Sequence, residues 1–514
     1  MIILLLGFCG PPKPEFLPEE PEKPPPTVEE IRAQLADKDP YTRGMAAAQA
    51  LTYQMKELTP DLLKILKDDP AENARAAAAL TLASFKEKRA APYIMEMLRQ
   101  NQGQKDLMVE ALGEVGGPRE ASFLVSYLKD PDSTTRYKAA EALRKMRSSY
   151  LGDEVLAQAR AQKDTDILQS HILALGWLGY RPAEGFLLEK LRENPRSSLA
   201  ATAINALGDI KSFQAARFLL PFLREGEAWA LLRDNAVEAL RKIPSKEIAK
   251  SLALEIEGDN PTAAQLAVAV LEEYPSPMVI PLARQLIKKG KNIQGKAAYL
   301  LGRHKDIAYR EVIEKVLQDQ EVPERELAAK GLGYMQSKES IPVLREVARE
   351  KQGKARYLAV WALGVMGAQD ALPEIRAALR SDDRTLVAYA LEALAVMATT
   401  EDIPTLRAHL FDDKGQPLLA ASALAKIQGQ EALNVLLDAA TSSKVAVRNA
   451  AYEGLSQRQD WGALPFLIER LEKGSAEEGR LSMAALRNIT GEKFDSAAKW
   501  INWYRRKYPK GETQ

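Results

Sequence analysis

Residues 136–143 read Arg-Tyr-Lys-Ala-Ala-Glu-Ala-Leu, and this arrangement of residue types returns along the chain. Four further segments carry it in the same order: residues 233–240, 325–332, 356–363 and 448–455. An arginine opens each segment, an alanine stands four residues before its end, and a leucine closes it. Self-similarity at a regular interval is the signature of a repeat architecture. The closing leucine is therefore the reference point of a repeat.

This reference leucine recurs fifteen times, at intervals of 30 to 33 residues. Alanine stands four residues before it in twelve units and one residue before it in ten. These spacings place small side chains on one face of a helix, where a neighbouring helix can approach closely. A glycine after the leucine, as at Gly113 and Gly302, indicates close packing or the approach of the helix end. The fifteen reference residues are Leu51, Leu82, Leu112, Leu143, Leu175, Leu207, Leu240, Leu271, Leu301, Leu332, Leu363, Leu394, Leu424, Leu455 and Leu486.

Prolines and turn residues predict a second helix in each unit. Six units carry proline ten residues after the leucine, which predicts a new helix starting there: Pro92, Pro281, Pro342, Pro373, Pro404 and Pro465. Asp-Pro or Asn-Pro pairs at 39–40, 69–70, 130–131 and 194–195 have the form of a helix N-cap followed by a first-turn proline. We therefore expect an all-α fold, an α-solenoid (superhelix) of about fifteen two-helix repeats of about 31 residues.

Composition excludes several classes of function. The 514 residues include 71 Lys and Arg against 70 Asp and Glu, and a net charge of +1 argues against general nucleic-acid binding. Cys9 is the only cysteine, and the three histidines are far apart at His171, His304 and His409. No phosphate-binding loop, dinucleotide fingerprint or zinc-protease motif is present. The sequence predicts a non-enzymatic protein, with no catalytic residues, cofactor, metal site or small-molecule substrate.

An unusual N-terminus precedes the repeats. Residues 2–8 form a short apolar run, Cys9 follows, and residues 10–26 hold eight prolines in seventeen positions. A segment this rich in proline is a semi-extended spacer and cannot form a helix. No run of 18 apolar residues occurs, so no membrane-spanning helix is expected.

Two candidate interaction surfaces carry aromatic and basic residues. The position two residues before the reference leucine is mostly polar, yet it holds Tyr299 and Trp361, with Lys330 in the unit between them and Tyr357 one turn before Trp361. These four residues could anchor a protein or peptide, and ordinary packing between repeats is the alternative. At the C-terminus, a surface for anionic lipid or nucleic acid and a cap over the last repeat are both open; its residues are Trp500, Trp503, Arg505 and Arg506.

The repeats resemble HEAT repeats, in the short form also found in phycobilisome-lyase-like proteins. The resemblance rests on the arginine before the alanine-rich helix, the Ala-Leu-Gly stretch and the proline of the first helix. It implies a solenoid over residues 27–489 that binds proteins, closed by a cap over residues 490–514. Two alternatives follow from relatives: a tetrapyrrole-handling enzyme like the lyases, or a cytosolic nucleic-acid binder like HEAT-type DNA glycosylases.

The N-terminus is similar to a bacterial lipoprotein signal. In that family an apolar run is followed by a cysteine that is acylated and becomes the mature N-terminus. The resemblance implies a signal over residues 1–9, a lipid on Cys9, a tether over residues 10–26 and attachment to a membrane surface of the bacterial cell envelope. Another form of export and a cytoplasmic protein are the alternatives.

Overall fold

The computed structural model describes residues 26–412 and 415–508. Every regular element in this part of the chain is helical, and the predicted all-α solenoid is confirmed. The residues divide into two compact units, one of residues 28–458 and one that includes residues 459–508. None of the described helices is both long enough and apolar enough to cross a bilayer.

The helices follow the two-helix plan of the sequence. Odd-numbered helices up to α29 are the first helices of their repeats, even-numbered helices up to α30 are the second, and short 3-10 turns precede many first helices. The first helices are α1 Val28–Leu35, α3 Thr59–Asp68, α5 Ala91–Arg99, α7 Pro118–Val125, α9 Gly152–Ala161, α11 Glu184–Glu193, α13 Ala216–Leu219, α15 Lys246–Glu257, α17 Ser276–Leu286, α19 Arg310–Gln318, α21 Ile341–Ala348, α23 Leu372–Leu379, α25 Ile403–Phe411, α27 Gln430–Ala440 and α29 Leu464–Lys473.

The second helices carry the reference leucines. They are α2 Pro40–Thr52, α4 Glu72–Ser84, α6 Lys105–Val115, α8 Ser133–Lys145, α10 Thr165–Trp177, α12 Ser198–Asp209, α14 Ala230–Arg241, α16 Pro261–Leu271, α18 Lys291–Arg303, α20 Glu326–Met335, α22 Lys354–Val365, α24 Arg384–Met397, α26 Pro417–Lys426, α28 Val445–Arg458 and α30 Ala476–Thr490. Fourteen of the fifteen leucines are fully buried, and Leu51 in the first repeat is half-buried. Leu51 belongs to the terminal repeat, as is typical of solenoids whose end units differ.

Small residues let the second helices of neighbouring units approach closely. A Cβ atom added at Gly302 in α18 would lie 2.3 Å from the backbone of Gly331 in α20. One added at Gly113 in α6 would lie 2.5 Å from the Cβ of Ala142 in α8. Both glycines lie within their helices. Of the two explanations that the sequence allowed, close packing is therefore the correct one.

The recurring arginine ties the two helices of its own unit together. Arg136 Nη1 donates to the carbonyl of Asp130 at 2.8 Å, and Arg325 Nη1 donates to the carbonyl of Leu317 at 2.7 Å. These carbonyls lie at the end of the first helix or in the turn after it, where backbone C=O groups have no N–H partner within the helix. The equivalent arginine donates in the same way in three further units: Arg233, Arg356 and Arg448.

Arginine–carboxylate pairs connect consecutive units on the first-helix side. Arg284 of α17 binds both carboxylate oxygens of Asp306 at 2.7 Å. Arg376 of α23 binds those of Asp402 at 2.7 and 3.2 Å. Both carboxylates are buried, so each pair fixes how one unit sits on the next.

Two predictions about helix starts are corrected by the structure. Five of the six prolines lie in the first turn of their helix, but Pro281 lies inside α17. This unit has no 3-10 turn, because α17 begins at Ser276 with Pro277 already in its first turn. Among the four Asp-Pro and Asn-Pro pairs, only Asp39 caps the helix that its proline opens, accepting from the backbone N–H groups of Tyr41 and Thr42. In the other three pairs the chain turns first, and the second helix begins later.

The unit that includes residues 459–508 closes with an aromatic core. Its three helices are α29, α30 and α31, the last over Ala497–Lys507. Trp500 of α31 is fully buried and its ring lies 4.9 Å from that of Phe494, edge to face. Ser475 caps α30 and Gly491 ends it with a left-handed backbone at φ 78°. Within this unit α31 packs on both other helices, as a cap would.

Candidate functional site

The structure places the predicted partner-binding residues on the second helices of three consecutive units. Tyr299 lies on α18, Lys330 on α20, and Tyr357 and Trp361 on α22. Two tyrosines that the sequence analysis did not select, Tyr334 on α20 and Tyr389 on α24, join them. The rings form what we call the aromatic row, which consists of Tyr299, Tyr334, Trp361, Tyr357 and Tyr389.

Tyr299 forms the buried end of the aromatic row. Only 5% of its surface is exposed, and its hydroxyl donates to the carboxylate of Glu272. Burial raises the pKa of the Tyr299 hydroxyl well above its usual range, and the hydrogen bond to Glu272 adds to this effect. The phenol therefore stays protonated, and Tyr299 supports its neighbours rather than meeting a partner directly.

Lys330 and Tyr334 form the centre of the site. The ammonium nitrogen of Lys330 lies 5.2 Å from the ring centroid of Tyr299 and 5.9 Å from that of Tyr334. The guanidinium carbon of Arg303 lies 5.3 Å from the Tyr334 ring. Cations at these distances are attracted to the electron-rich ring faces. Tyr334 stands four residues after Lys330 on the same helix, and this spacing was the signal that could have identified it.

Trp361 lies across the boundary between two units. Its ring centroid is 5.5 Å from that of Tyr334, in an edge-to-face arrangement. A Cβ atom at Gly333 would lie 2.9 Å from the indole, so the glycine makes room for it. Trp361 is half-buried, which leaves part of the indole open to a partner. Packing between repeats is therefore observed for Trp361, and contact with a partner stays a prediction.

Tyr357 and Tyr389 extend the row into the next unit. Their rings stack 6.2 Å apart with an angle of 18° between the planes. The Tyr357 hydroxyl donates to Asp383, and this hydrogen bond raises the pKa of the tyrosine and lowers that of the carboxyl. Asp383 also accepts from the backbone N–H of Thr385 at 2.9 Å, at the start of α24. Tyr389 follows Tyr357 by about one repeat length, and this spacing could have identified it from the sequence.

An exposed apolar strip runs beside the aromatic row. The position two residues after the reference leucine is charged or polar in most units, but holds Tyr334, Val365 and Val396 in three consecutive ones. Val365 is 39% exposed and Val396 is 63% exposed. We call these three residues the apolar strip. Tyr334 is half-buried, so the exposed apolar surface of the strip comes mainly from the two valines. Exposed apolar side chains on adjacent units are candidates for an interaction site.

The site has the chemistry of recognition. Tyrosine and tryptophan rings are enriched in binding hot spots, and here they lie close to one lysine. No group of three or more metal-ligating side chains occurs in residues 26–412 and 415–508. His171 is buried, His304 is half-buried and lies 3.1 Å from the hydroxyl of Ser276, and burial lowers the pKa of both imidazoles.

One part of the predicted C-terminal surface is wrong. Trp500 is fully buried and cannot contribute to a surface, because its ring completes the core described above. Trp503 is half-buried and faces Lys507, whose ammonium nitrogen lies 5.0 Å from its ring. Arg505 and Arg506 are exposed, and Arg505 pairs with Glu472 at 2.8 Å. The burial of Trp500 agrees with the other alternative from the sequence, a cap over the last repeat.

The N-terminal predictions lie outside the described residues. Cys9, the signal over residues 1–9 and nearly all of the tether over residues 10–26 fall in this part of the chain. Lipidation of Cys9 therefore stays a prediction from the sequence.

Comparison with known proteins identifies the repeats. A family model described as HEAT repeats matches residues 28–107, 310–395, 351–421 and 403–487. Together these matches cover just over half of the 514 residues. No curated protein matches the sequence.

Several solved structures are similar at low identity. Kap121p is 12% identical with a TM-score of 0.48, and the match covers 93% of this chain and 65% of that one. Importin beta is 15% identical with a TM-score of 0.39, covering 89% and 66% of the two chains. An engineered protein is 18% identical with a TM-score of 0.23, covering 84% and 99%. The chain thus spans about two thirds of the length of Kap121p and importin beta.

Proposed function

The chain belongs to the HEAT-repeat proteins, and from this premise we propose that it is a non-enzymatic scaffold that binds a partner protein. Stacked two-helix units give a long surface on which binding can be spread over several repeats. The principal contact is the aromatic row together with the apolar strip, on α18 to α24.

The exposed apolar strip is the observation that carries this proposal. Val396 is 63% exposed and Val365 is 39% exposed, so both leave apolar surface in water that folding does not cover. A partner that covers these side chains and the open edge of Trp361 would remove apolar surface from water. Such a partner would present apolar or aromatic side chains spaced like the second helices of adjacent units. It would also place a carboxylate near Lys330.

A membrane tether is the second part of the proposal. We propose that Cys9 is acylated and that residues 10–26 hold the solenoid away from a membrane surface of the bacterial envelope. The support is the order of segments in the sequence: an apolar run, the single cysteine and a proline-rich spacer. A lipid anchor would confine the scaffold and its partner to the same surface, which raises their effective concentration.

Photo-cross-linking tests the binding surface. Benzoylphenylalanine at position 396 should give a discrete cross-linked product in cells of the native host. The matched control is position 254 on α15, where Leu254 is 66% exposed. The same product from both positions, or none from position 396, would contradict the proposal.

The mass of the N-terminal peptide from the native host tests the tether. A diacylated or triacylated Cys9 as the first residue, with the protein in the membrane fraction, is the expected result. An unmodified peptide that contains residues 1–9, from protein in the soluble fraction, would refute the anchor and leave the scaffold proposal standing.

A further inference from the structure

A second candidate surface lies where the repeat is least regular. In the seventh unit the first helix is only four residues long, over Ala216–Leu219, and continues as a 3-10 helix over Leu220–Arg224. Pro221 lies in this 3-10 helix, where it prevents continuation of the α-helical hydrogen bonds. The shortened helix leaves a groove of about 460 Å³ against the end of α11. We call it the arginine groove, after the residues that line it.

Two guanidinium groups converge on one ring in this groove. The guanidinium carbon of Arg192 lies 4.2 Å from the ring centroid of Phe218, and that of Arg217 lies 4.7 Å from the same centroid. Because both guanidinium carbons lie within 5 Å of the same ring centroid, the two cations lie within about 10 Å of each other. Both side chains are exposed, so water screens their mutual repulsion, while both attract an anion that enters the groove.

Neither arginine has a carboxylate partner among residues 26–412 and 415–508. The one acidic residue that lines the groove, Glu225, accepts two hydrogen bonds from Arg196, at 3.0 and 3.2 Å. Arg196 also lies over the ring of Trp229, at 5.2 Å. Its charge is therefore paired within the protein, while Arg192 and Arg217 retain free donors beside the Phe218 ring.

We propose that the arginine groove binds an extended acidic segment of a partner protein. A glutamate or aspartate side chain of this segment accepts hydrogen bonds from Arg192 and Arg217, which brings an anion between the two cations. Apolar atoms of the same segment pack on Phe218 and Pro221. Charge complementarity selects this occupant, because the groove combines two unpartnered guanidinium groups with an aromatic and prolyl surface.

This surface is separate from the aromatic row. The groove lies between the sixth and seventh units, at the ends of first helices, whereas the row lies on second helices of the ninth to twelfth units. The inference goes beyond the proposed function and does not depend on which partner the aromatic row binds. A substitution in one surface should leave binding at the other unchanged.

Fluorescence anisotropy with an acidic peptide tests the proposal. The probe is a fluorescein-labelled octapeptide of alternating glutamate and proline, and the protein is the full chain. We expect binding that weakens as NaCl is raised from about 50 to about 300 mM. The variant Arg192→Gln/Arg217→Gln should bind about tenfold more weakly or worse, because it loses two charge-assisted hydrogen bonds.

Three controls make the result decisive. Arg380→Gln/Arg384→Gln removes the same charge at two exposed arginines far along the chain and should keep wild-type affinity. Trp361→Ala should also keep it, which separates this groove from the aromatic row. A glutamine–proline octapeptide should not bind. Equal binding of the two peptides, or equal weakening by both arginine pairs, would overturn the proposal, and thermal unfolding of each variant would identify a folding defect.

Discussion

At the scale of single residues, His171 occupies a repeat position that is alanine in most units. It stands four residues before Leu175, where twelve of the fifteen units carry alanine. Its Nδ1 atom lies 2.8 Å from the carbonyl of Ile167, while Nε2 is buried without a hydrogen-bond partner. Such a ring is tolerated in its neutral form and opposes protonation.

Acid should therefore destabilise the protein through His171. Burial lowers the pKa of the folded imidazole below its ordinary value of 6.5, so the unfolded chain takes up the proton first. The free energy of unfolding should fall as the pH drops through this value. Urea unfolding at about pH 7 and about pH 5 should show a smaller loss for His171→Ala than for the wild type. Identical losses would show that His171 does not titrate differently on folding.

Glycine in the second helices should be required wherever helices touch. Gly302→Ala places a methyl group against the backbone of Gly331 and should lower the free energy of unfolding by about 1–3 kcal/mol, because the helices must move apart. The matched control is Gly185→Ala in α11, whose added Cβ would meet no atom within 4 Å. Gly185 lies in the first turn of α11, so this change should stabilise the protein by less than about 1 kcal/mol, the figure for a helix interior. Chemical denaturation measures both, and a destabilised Gly185→Ala would contradict this account.

At the scale of helices and their contacts, buried ion pairs connect consecutive units. Burial tends to raise the pKa of Asp402, but the hydrogen bonds from Arg376 and Thr399 lower it by more, so the net shift is downward. The carboxylate therefore stabilises the fold at pH values above its ordinary pKa. This contribution is lost as the pH falls through the lower, folded pKa.

Two neighbouring aspartates allow a direct comparison of buried and exposed pairs. Asp402→Asn should cost about 1–3 kcal/mol at neutral pH, because Asp402 is 2% exposed and Arg376 would lose its partner. Asp438→Asn should cost less than about 0.5 kcal/mol, because both side chains of the Arg407–Asp438 pair are 54% exposed. The Asp402→Asn deficit should shrink in acid. Equal costs at neutral pH would contradict the role given to burial.

The sequence predicted the elements well where a pattern repeats and less well where a unit departs from it. The spacing of leucine and alanine identified the second helices, because residues at helical spacing form the buried face of the helix in each unit. The helix start predicted from Pro281 was wrong because this unit lacks the usual 3-10 turn. Its first helix already begins at Ser276, between Pro275 and Pro277. The prediction that Trp500 belongs to an exposed surface was wrong, because alternation with basic residues does not show which side of α31 is buried.

At the scale of the whole molecule, the sequence located part of the candidate site. Tyr299 and Trp361 were selected as aromatic departures from a polar register, Lys330 as the residue of the unit between them and Tyr357 as a neighbour one turn away. The structure places the four on adjacent second helices. The apolar strip and the arginine groove were missed, because the strip uses a second register and the groove depends on distances across units. The sequence alone does not give these contacts, since residues about 31 positions apart meet only after stacking.

The central claim is that the aromatic row serves binding beyond holding the repeats together. The direct test compares Trp361→Ala with Trp177→Ala, using the partner identified by cross-linking at position 396. Trp177 is a matched control because it is also half-buried, contacts Tyr137 edge to face at 5.4 Å and has Arg144 over its ring at 4.9 Å.

The affinity for that partner and the thermal stability of each variant should be measured together. We predict that Trp361→Ala weakens binding by about tenfold or more, as expected for an aromatic hot spot, while its stability falls no further than that of Trp177→Ala. Trp177→Ala should keep wild-type affinity. Unchanged affinity in Trp361→Ala, or a loss of affinity matched by Trp177→Ala, would contradict the account and leave the aromatic row as packing between repeats.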